Sequence, residues 1–254
     1  SKARLVDLTF MESAIEFLRY QNDTGGNVVI EGLDDHISSS THNRALKISL
    51  KPMQPKLSPR QVRLREIAKE HNFVFESQVN WNTSYLRNFQ FFEIRPIERK
   101  NNCISGNYEN SDIKWEMADV TFNEGFSAAS EIYHSTIQVV HLPIEIPKFV
   151  LEKEGLFDKI FDRIMAFSGY RDIDFELYTD FSNQFLLMGE NQQEIRNFFT
   201  KELIEYLEQE EVHHIESNGE ALLIFKKLKF AKTDETLGIL KFSEHLVKKM
   251  LATV

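Results

Sequence analysis

Apolar and polar positions change rhythm along the chain. Leu5 to Phe10 is a largely apolar run and predicts a buried strand. Glu12 to Tyr20 follows as a short amphipathic helix with Ile15 and Leu18 on one side. Thr24-Gly25-Gly26 ends it, because glycine accepts the left-handed cap conformation without a steric penalty. Val28, Val29 and Ile30 are β-branched and predict a second strand. Gly32 to Ser40 is polar loop, and Thr41 to Ile48 predicts another short helix. Strand, helix, strand, helix is the order of a parallel pair with a crossover, an α/β arrangement.

Lys51 to Pro59 holds three prolines and no apolar period, so it predicts a linker. Ser58-Pro59 then opens a helix, with serine as cap and proline in the first position. Val62, Ile67 and Ala68 share one side of it, and Arg60, Arg63 and Arg65 are expected to stay in water. Further on, Phe89 to Ile97 and Ile113 to Phe122 alternate and predict antiparallel strands joined by the polar stretch Asn101 to Asp112. Thr136 to Leu142 predicts a strand stopped by Pro143 and Pro147. Ile173 to Tyr178 and Asn183 to Met188 predict short strands, and Gly155 to Phe167, Asn191 to Leu207 and Thr233 to Leu251 predict helices. Asn218-Gly219 between Val212–Ser217 and Glu220–Leu228 is a strong hairpin signal. The expected division is residues 1–56, a connector helix at 57–74, and an α+β domain with mostly antiparallel strands at 75–254.

Charge supports a division in that region. Residues 1–74 hold 11 Lys+Arg against 9 Asp+Glu, leaving 19 against 30 for the remainder. The overall net charge of −9 disfavours nucleic acid as a partner. The 21 Phe argue for aromatic cores. No run of ~18 apolar residues occurs. The single cysteine, Cys103, has no internal disulfide partner and is expected as an incidental loop thiol.

Several constellations bear on chemistry. On a strand, His214 and Glu216 share a face and His213 points to the other, so a chelate there lacks an evident third ligand. Asp172 and Asp174 also share a face, as acid–base pairs do, but are expected on a solvated edge. His134 and His141 lie on opposite faces. No Ser-His-Asp order, nucleophile elbow or phosphate loop is present. The helix bearing Arg60, Arg63, Arg65 and Lys69 suits either a charged connector or an anionic membrane surface. An enzyme is not expected, nor are a cofactor or a metal; the alternative is an enzyme within 75–254, which a deep pocket lined by Asp172, Asp174 or His214 would support.

Val6-Asp7-Leu8-Thr9-Phe10-Met11-Glu12-Ser13-Ala14 resembles the strand-to-helix signature of STAS domains. Thr24-Gly25-Gly26-Asn27-Val28-Val29-Ile30 is similar to that family's turn and next strand. Gly32-Leu33-Asp34-Asp35-His36, with His42-Asn43-Arg44-Ala45, resembles the loop and helix start of STAS domains attached to SulP anion transporters, and Leu57-Ser58-Pro59-Arg60-Gln61 the segment after them. The resemblance implies a partial STAS-like sheet with helices. It also implies regulation or assembly of a sulfate or bicarbonate transporter on the cytoplasmic side of a bacterial inner membrane. Its implied partners are the transporter's membrane domain, a nucleotide or signalling protein, or a second copy. Asp34, Asp35, His36 and His42 become contact candidates, and Ser13 occupies the family's phospho-switch position, with a simple helix-capping role as the alternative. The run Phe185 to Gly189, with His214-Ile215-Glu216, resembles an uncharacterised bacterial domain and implies no activity.

Overall fold

A computed structural model describes residues 5–31, 36–38, 41, 45, 47–49, 57–80, 82–93, 95–123, 132–153, 170–211 and 214–252. The chain forms two compact units, Ser1–Lys56 and Leu57–Val254.

In the first unit, strand β1 is confined to Leu5–Val6 and helix α1 spans Leu8–Asp23. Asp7 cuts the expected strand short. Its side chain accepts a hydrogen bond from the Phe10 N–H at 2.8 Å and caps the helix, a contribution worth about 1 kcal/mol. Thr24 closes α1, followed by Gly25 at φ +80. Val28 to Ile30 is not a strand. The other strands among the described residues are β2 (His36–Ser38), within the expected polar loop, and β3 (Lys47–Ser49), at the end of the helix expected over Thr41 to Ile48. Sheet order is β1-β3-β2 with both pairings antiparallel. The expected parallel crossover is therefore absent among the described residues, and with it the α/β arrangement of this unit.

The second unit opens with α2 (Pro59–Glu70), where Ser58 and Gln61 form a reciprocal capping box and Pro59 takes the first turn. Leu64 and Ala68 of this helix, expected as a connector, enter the main core. The strands are β4 (Val74–Glu76), β5 (Ile97–Asn107), β6 (Lys114–Asn123), β7 (Ile132–His141), β8 (Phe149–Lys153), β9 (Arg171–Asp172), β10 (Phe185–Gly189), β11 (His214–Ser217) and β12 (Ala221–Phe225). They form one open sheet, ordered β4-β5-β6-β7-β12-β11-β8-β10-β9, with every pairing antiparallel. The remaining helices are α3 (Gln90–Glu93), α4 (Thr179–Gln184), α5 (Gln192–Phe198), α6 (Lys201–Gln209) and α7 (Glu235–Leu251). Long antiparallel strands with helices between them make this unit α+β.

Side chains alternate across the sheet, so it has two cores. On β12, Leu222 and Ile224 face one core with α2, α5, α6 and α7, while Leu223 and Phe225 face the other. The second core is closed by residues 84–92, a 3-10 turn (Ser84–Asn88) followed by α3, which insert Leu86, Phe89, Phe91 and Phe92. A strand was expected over Phe89 to Ile97. Leu86, Phe89 and Phe92, three residues apart, instead enter one core together with the adjacent Phe91, whereas neighbouring residues of a strand point to opposite faces. We refer to this segment as the strap.

The expected single helix 191–207 is two helices. Phe199 leaves helical geometry at ψ 76 and Thr200 is extended, which lets Phe198 and Phe199 both reach the core. The expected polar loop 101–112 is largely strand β5. It keeps its pairing by a register slip between Asn101 and Ile104, where Asn102 adopts φ 54, a conformation asparagine tolerates better than most residues. The strand expected at 173–178 is a turn, and the helix expected at 155–167 lies outside the described residues.

Arg60, expected in water, is tied to the sheet instead. Its guanidinium donates to Asp119 through Nε (2.8 Å) and Nη2 (2.7 Å), and through Nη1 to the Ala231 carbonyl (2.5 Å). Thr136 Oγ1 donates to Asp119 at 2.6 Å and accepts from the Ala231 N–H at 2.9 Å. Asn102 Nδ2 also donates to Asp119 (2.8 Å). Buried Asp119 thus has its charge matched by a two-pronged partner, and α2 is fixed to three strands.

Candidate functional site

Two buried polar clusters and one exposed helix face are the candidate sites. The first lies under the strap. Strand period puts His214 and Glu216 on one face of β11, and the β11–β8 register, Ile215 opposite Leu151, brings Glu152 beside His214. His214 Nδ1 is 2.7 Å from Glu152 Oε1, and its Nε2 is 3.4 Å from Glu216 Oε2. Glu216 also accepts the backbone N–H groups of Gln90 and Phe91. The imidazole stacks on Phe225 with ring centres 4.4 Å apart. Burial on its own would lower the His214 pKa, but the hydrogen bonds and charge of Glu152 and Glu216 outweigh it and raise the value to about 8. The result is an imidazolium between two carboxylates, with both ring nitrogens engaged and all three side chains buried. Its evident work is to anchor the strap to β8 and β11.

Glu152 is the partner that sequence reasoning missed, because β8 follows two prolines and is short. No group of three or more His, Cys, Asp or Glu suited to a metal occurs among the described residues, and His213 lies outside them. Asp172 and Asp174 are exposed.

The second cluster holds the other end of the strap. Lys100 on β5 and Glu116 on β6 are joined at 2.9 Å. Lys100 Nζ also donates to Tyr85 Oη at 2.6 Å, and the Tyr85 hydroxyl donates to Glu116. Cys103 is a buried strand residue, 3.9 Å from Glu116 Oε2, rather than a loop thiol. Burial drives these groups toward their neutral forms. Burial, assisted by Glu76, pushes Glu116 up to about 7. It also pushes the Cys103 thiol up and the Lys100 amine down. The Lys100 side chain is only 2% exposed, so the cluster is enclosed.

The third place is the surface of α1. Met11 is buried, with Ile15 and Leu18 half-buried beside it. The opposite side carries Phe10, Phe17 and Tyr20 at 54%, 52% and 65% exposure. These positions, at spacing i, i+7 and i+10, fall on one stripe of a helix. Ser13 sits inside the same stripe. Its hydroxyl donates to the Thr9 carbonyl at 3.0 Å, so it lies mid-helix and the capping role belongs to Asp7. Of the loop candidates, Asp34, Asp35 and His42 lie outside the described residues, and only the backbone of His36 is described, paired with Ser49 in β2.

No family model matches the chain. No curated protein matches it either. A solved structure, the mycobacterial trehalose monomycolate transport factor A, TtfA, is similar at a TM-score of 0.46 and 12% identity over 76% of this chain and 97% of that one. These findings correct the STAS and SulP resemblance. The antiparallel β1-β3-β2 sheet and the helical Leu8 to Phe10 remove the strand–helix–strand unit on which it rested. No helix among the described residues is long and apolar enough to cross a membrane. The sulfate-transporter reading falls with the resemblance, and the likeness to uncharacterised bacterial domains gains no support.

Proposed function

We propose that this chain is a binding module that works through contacts rather than chemistry, and that α1 is its contact element. The observation that carries this reading is the exposed aromatic stripe of Phe10, Phe17 and Tyr20. An aromatic side chain leaves about 150–250 Å² in water when unburied. Three on one helical face form the kind of patch that marks interaction surfaces. Spacing of this kind is how a helix presents anchors to a groove.

The first unit also has little with which to cover them. Its buried apolar residues among those described are Val6, Met11 and Ala45, and units of this size bury a small share of their surface. In the second unit, the groups best suited to chemistry have hydrogen bonds to internal partners, His214 to Glu152 and Lys100 to Glu116 and Tyr85. This supports a scaffold role for that unit.

The test is photo-cross-linking in the producing cells, with benzoylphenylalanine at Phe17 and, as a control, at Leu177, which is 90% exposed in the second unit. A discrete adduct at Phe17 that disappears with Phe10→Ser and Tyr20→Ser supports the reading. No adduct, or the same adduct at Leu177, rejects it.

A further inference from the structure

We infer that the partner of α1 is a protein whose apolar groove carries a basic rim; this rests on the contact reading above and adds the chemistry of the occupant. The stripe has a charged border. Glu12, Glu16 and Asp23 follow one another at i, i+4 and i+11, so they line up along one edge of Phe10, Phe17 and Tyr20. Glu16 stands one turn before Tyr20, and Asp23 three residues after it. The single cation of α1, Arg19, lies beyond that border, away from the aromatic rings. A groove that takes these rings brings its own rim against the exposed carboxylates of Glu16 and Asp23, and an acidic rim there would be repelled. A lysine- or arginine-lined rim matches them.

Other occupants fit worse. Helices that rest on anionic lipid carry Lys and Arg on their polar face, whereas α1 has three acidic groups against one basic. A second copy brings a second unit in which residues 57–254 hold 23 Lys+Arg against 32 Asp+Glu, so it faces the same border with the same sign. The exposed, acidic edge also favours encounter with a basic partner by long-range attraction.

The experiment uses the full chain and two labelled model helices of equal length, one of leucine and lysine and one of leucine and glutamate, read by fluorescence anisotropy. Phosphatidylserine vesicles and sedimentation equilibrium provide the lipid and self-association arms. The expected result is binding of the Leu/Lys helix alone, weakened at least about tenfold by Glu16→Lys with Asp23→Lys and at least as much by Phe10→Ser with Phe17→Ser. Both residues of each pair are exposed, and unchanged helicity by circular dichroism checks that the variants fold. The inference is overturned by equal binding of the Leu/Glu helix, by no binding of the Leu/Lys helix, or by binding that ignores the aromatic substitutions. It is equally overturned by retention on the vesicles, or by a dimer that Phe17→Ser dissolves. Cross-links at Phe17 that persist alongside any of these outcomes keep the contact reading and reject only the basic rim. Their loss rejects both.

Discussion

His214 Nδ1 lies 2.7 Å from Glu152 Oε1, across two strands separated by some sixty residues of chain. The contact is buried and continues through Glu216 to the backbone of α3. His214→Ala leaves two carboxylates facing each other without the cation between them. Removing one partner of such a pair costs about 3–5 kcal/mol. Urea unfolding is expected to show that loss as a lower midpoint at unchanged slope. A change below about 1 kcal/mol contradicts the anchoring role.

Stability is expected to fall as pH rises through neutrality. His214 binds its proton more tightly when folded, with a pKa near 8 against 6.5. Its contribution is therefore complete below pH 6.5, declines from there, and is lost above about 8. Glu116 has the same sign in a lower window. Its value rises from 4.5 to about 7, so the fold favours the protonated carboxyl and loses stability between those limits. Both groups hold the strap, one at each end. Urea midpoints measured across this range should fall, with His214→Gln removing the upper part of the slope and Glu116→Gln the lower. A flat profile in the native chain contradicts the assignment.

Arg60 and Asp119 are expected to couple strongly. Arg60→Lys keeps the charge but not the two-pronged geometry. A double-mutant cycle of Arg60→Ala with Asp119→Asn should give an interaction energy of about 1–3 kcal/mol. A value near zero would place α2 on the sheet by its apolar residues alone.

Much of the second unit was legible in the sequence. The hairpin at Asn218-Gly219 forms as expected, with Gly219 at φ +102. The capping box at Ser58 forms as expected, the strand expected at Ile113 to Phe122 runs over Lys114–Asn123, and the one expected at Thr136 to Leu142 begins earlier, at Ile132–His141. What was not legible depends on distant partners. Asn101 and Asn102 look like loop residues, and become strand because Asp119 and the β6 ladder satisfy them. Phe89 to Phe92 open a stretch whose alternation predicts a strand, and turn helical because Glu216 accepts the N–H groups at the start of the turn. In the first unit, the apolar run around Asp7 predicts a strand, although an aspartate three residues before Phe10 is also a cap signal. The expected crossover also needed Val28 to Ile30 as a strand, which it is not. Reading Phe10 as strand hid its spacing with Phe17 and Tyr20, which only the helix Leu8–Asp23 brings onto one exposed stripe. His214 and Glu216 were recognised as sharing a face, whereas Glu152 needed the sheet order.

The central claim is that α1 binds through its aromatic stripe. The most direct test takes the protein trapped at Phe17, purifies it, and titrates it calorimetrically against the full chain and against Phe10→Ser/Phe17→Ser/Tyr20→Ser. The account predicts a loss of affinity of about 100-fold or more, equivalent to about 3 kcal/mol, at an unchanged melting temperature. Equal affinity for the two chains would contradict it.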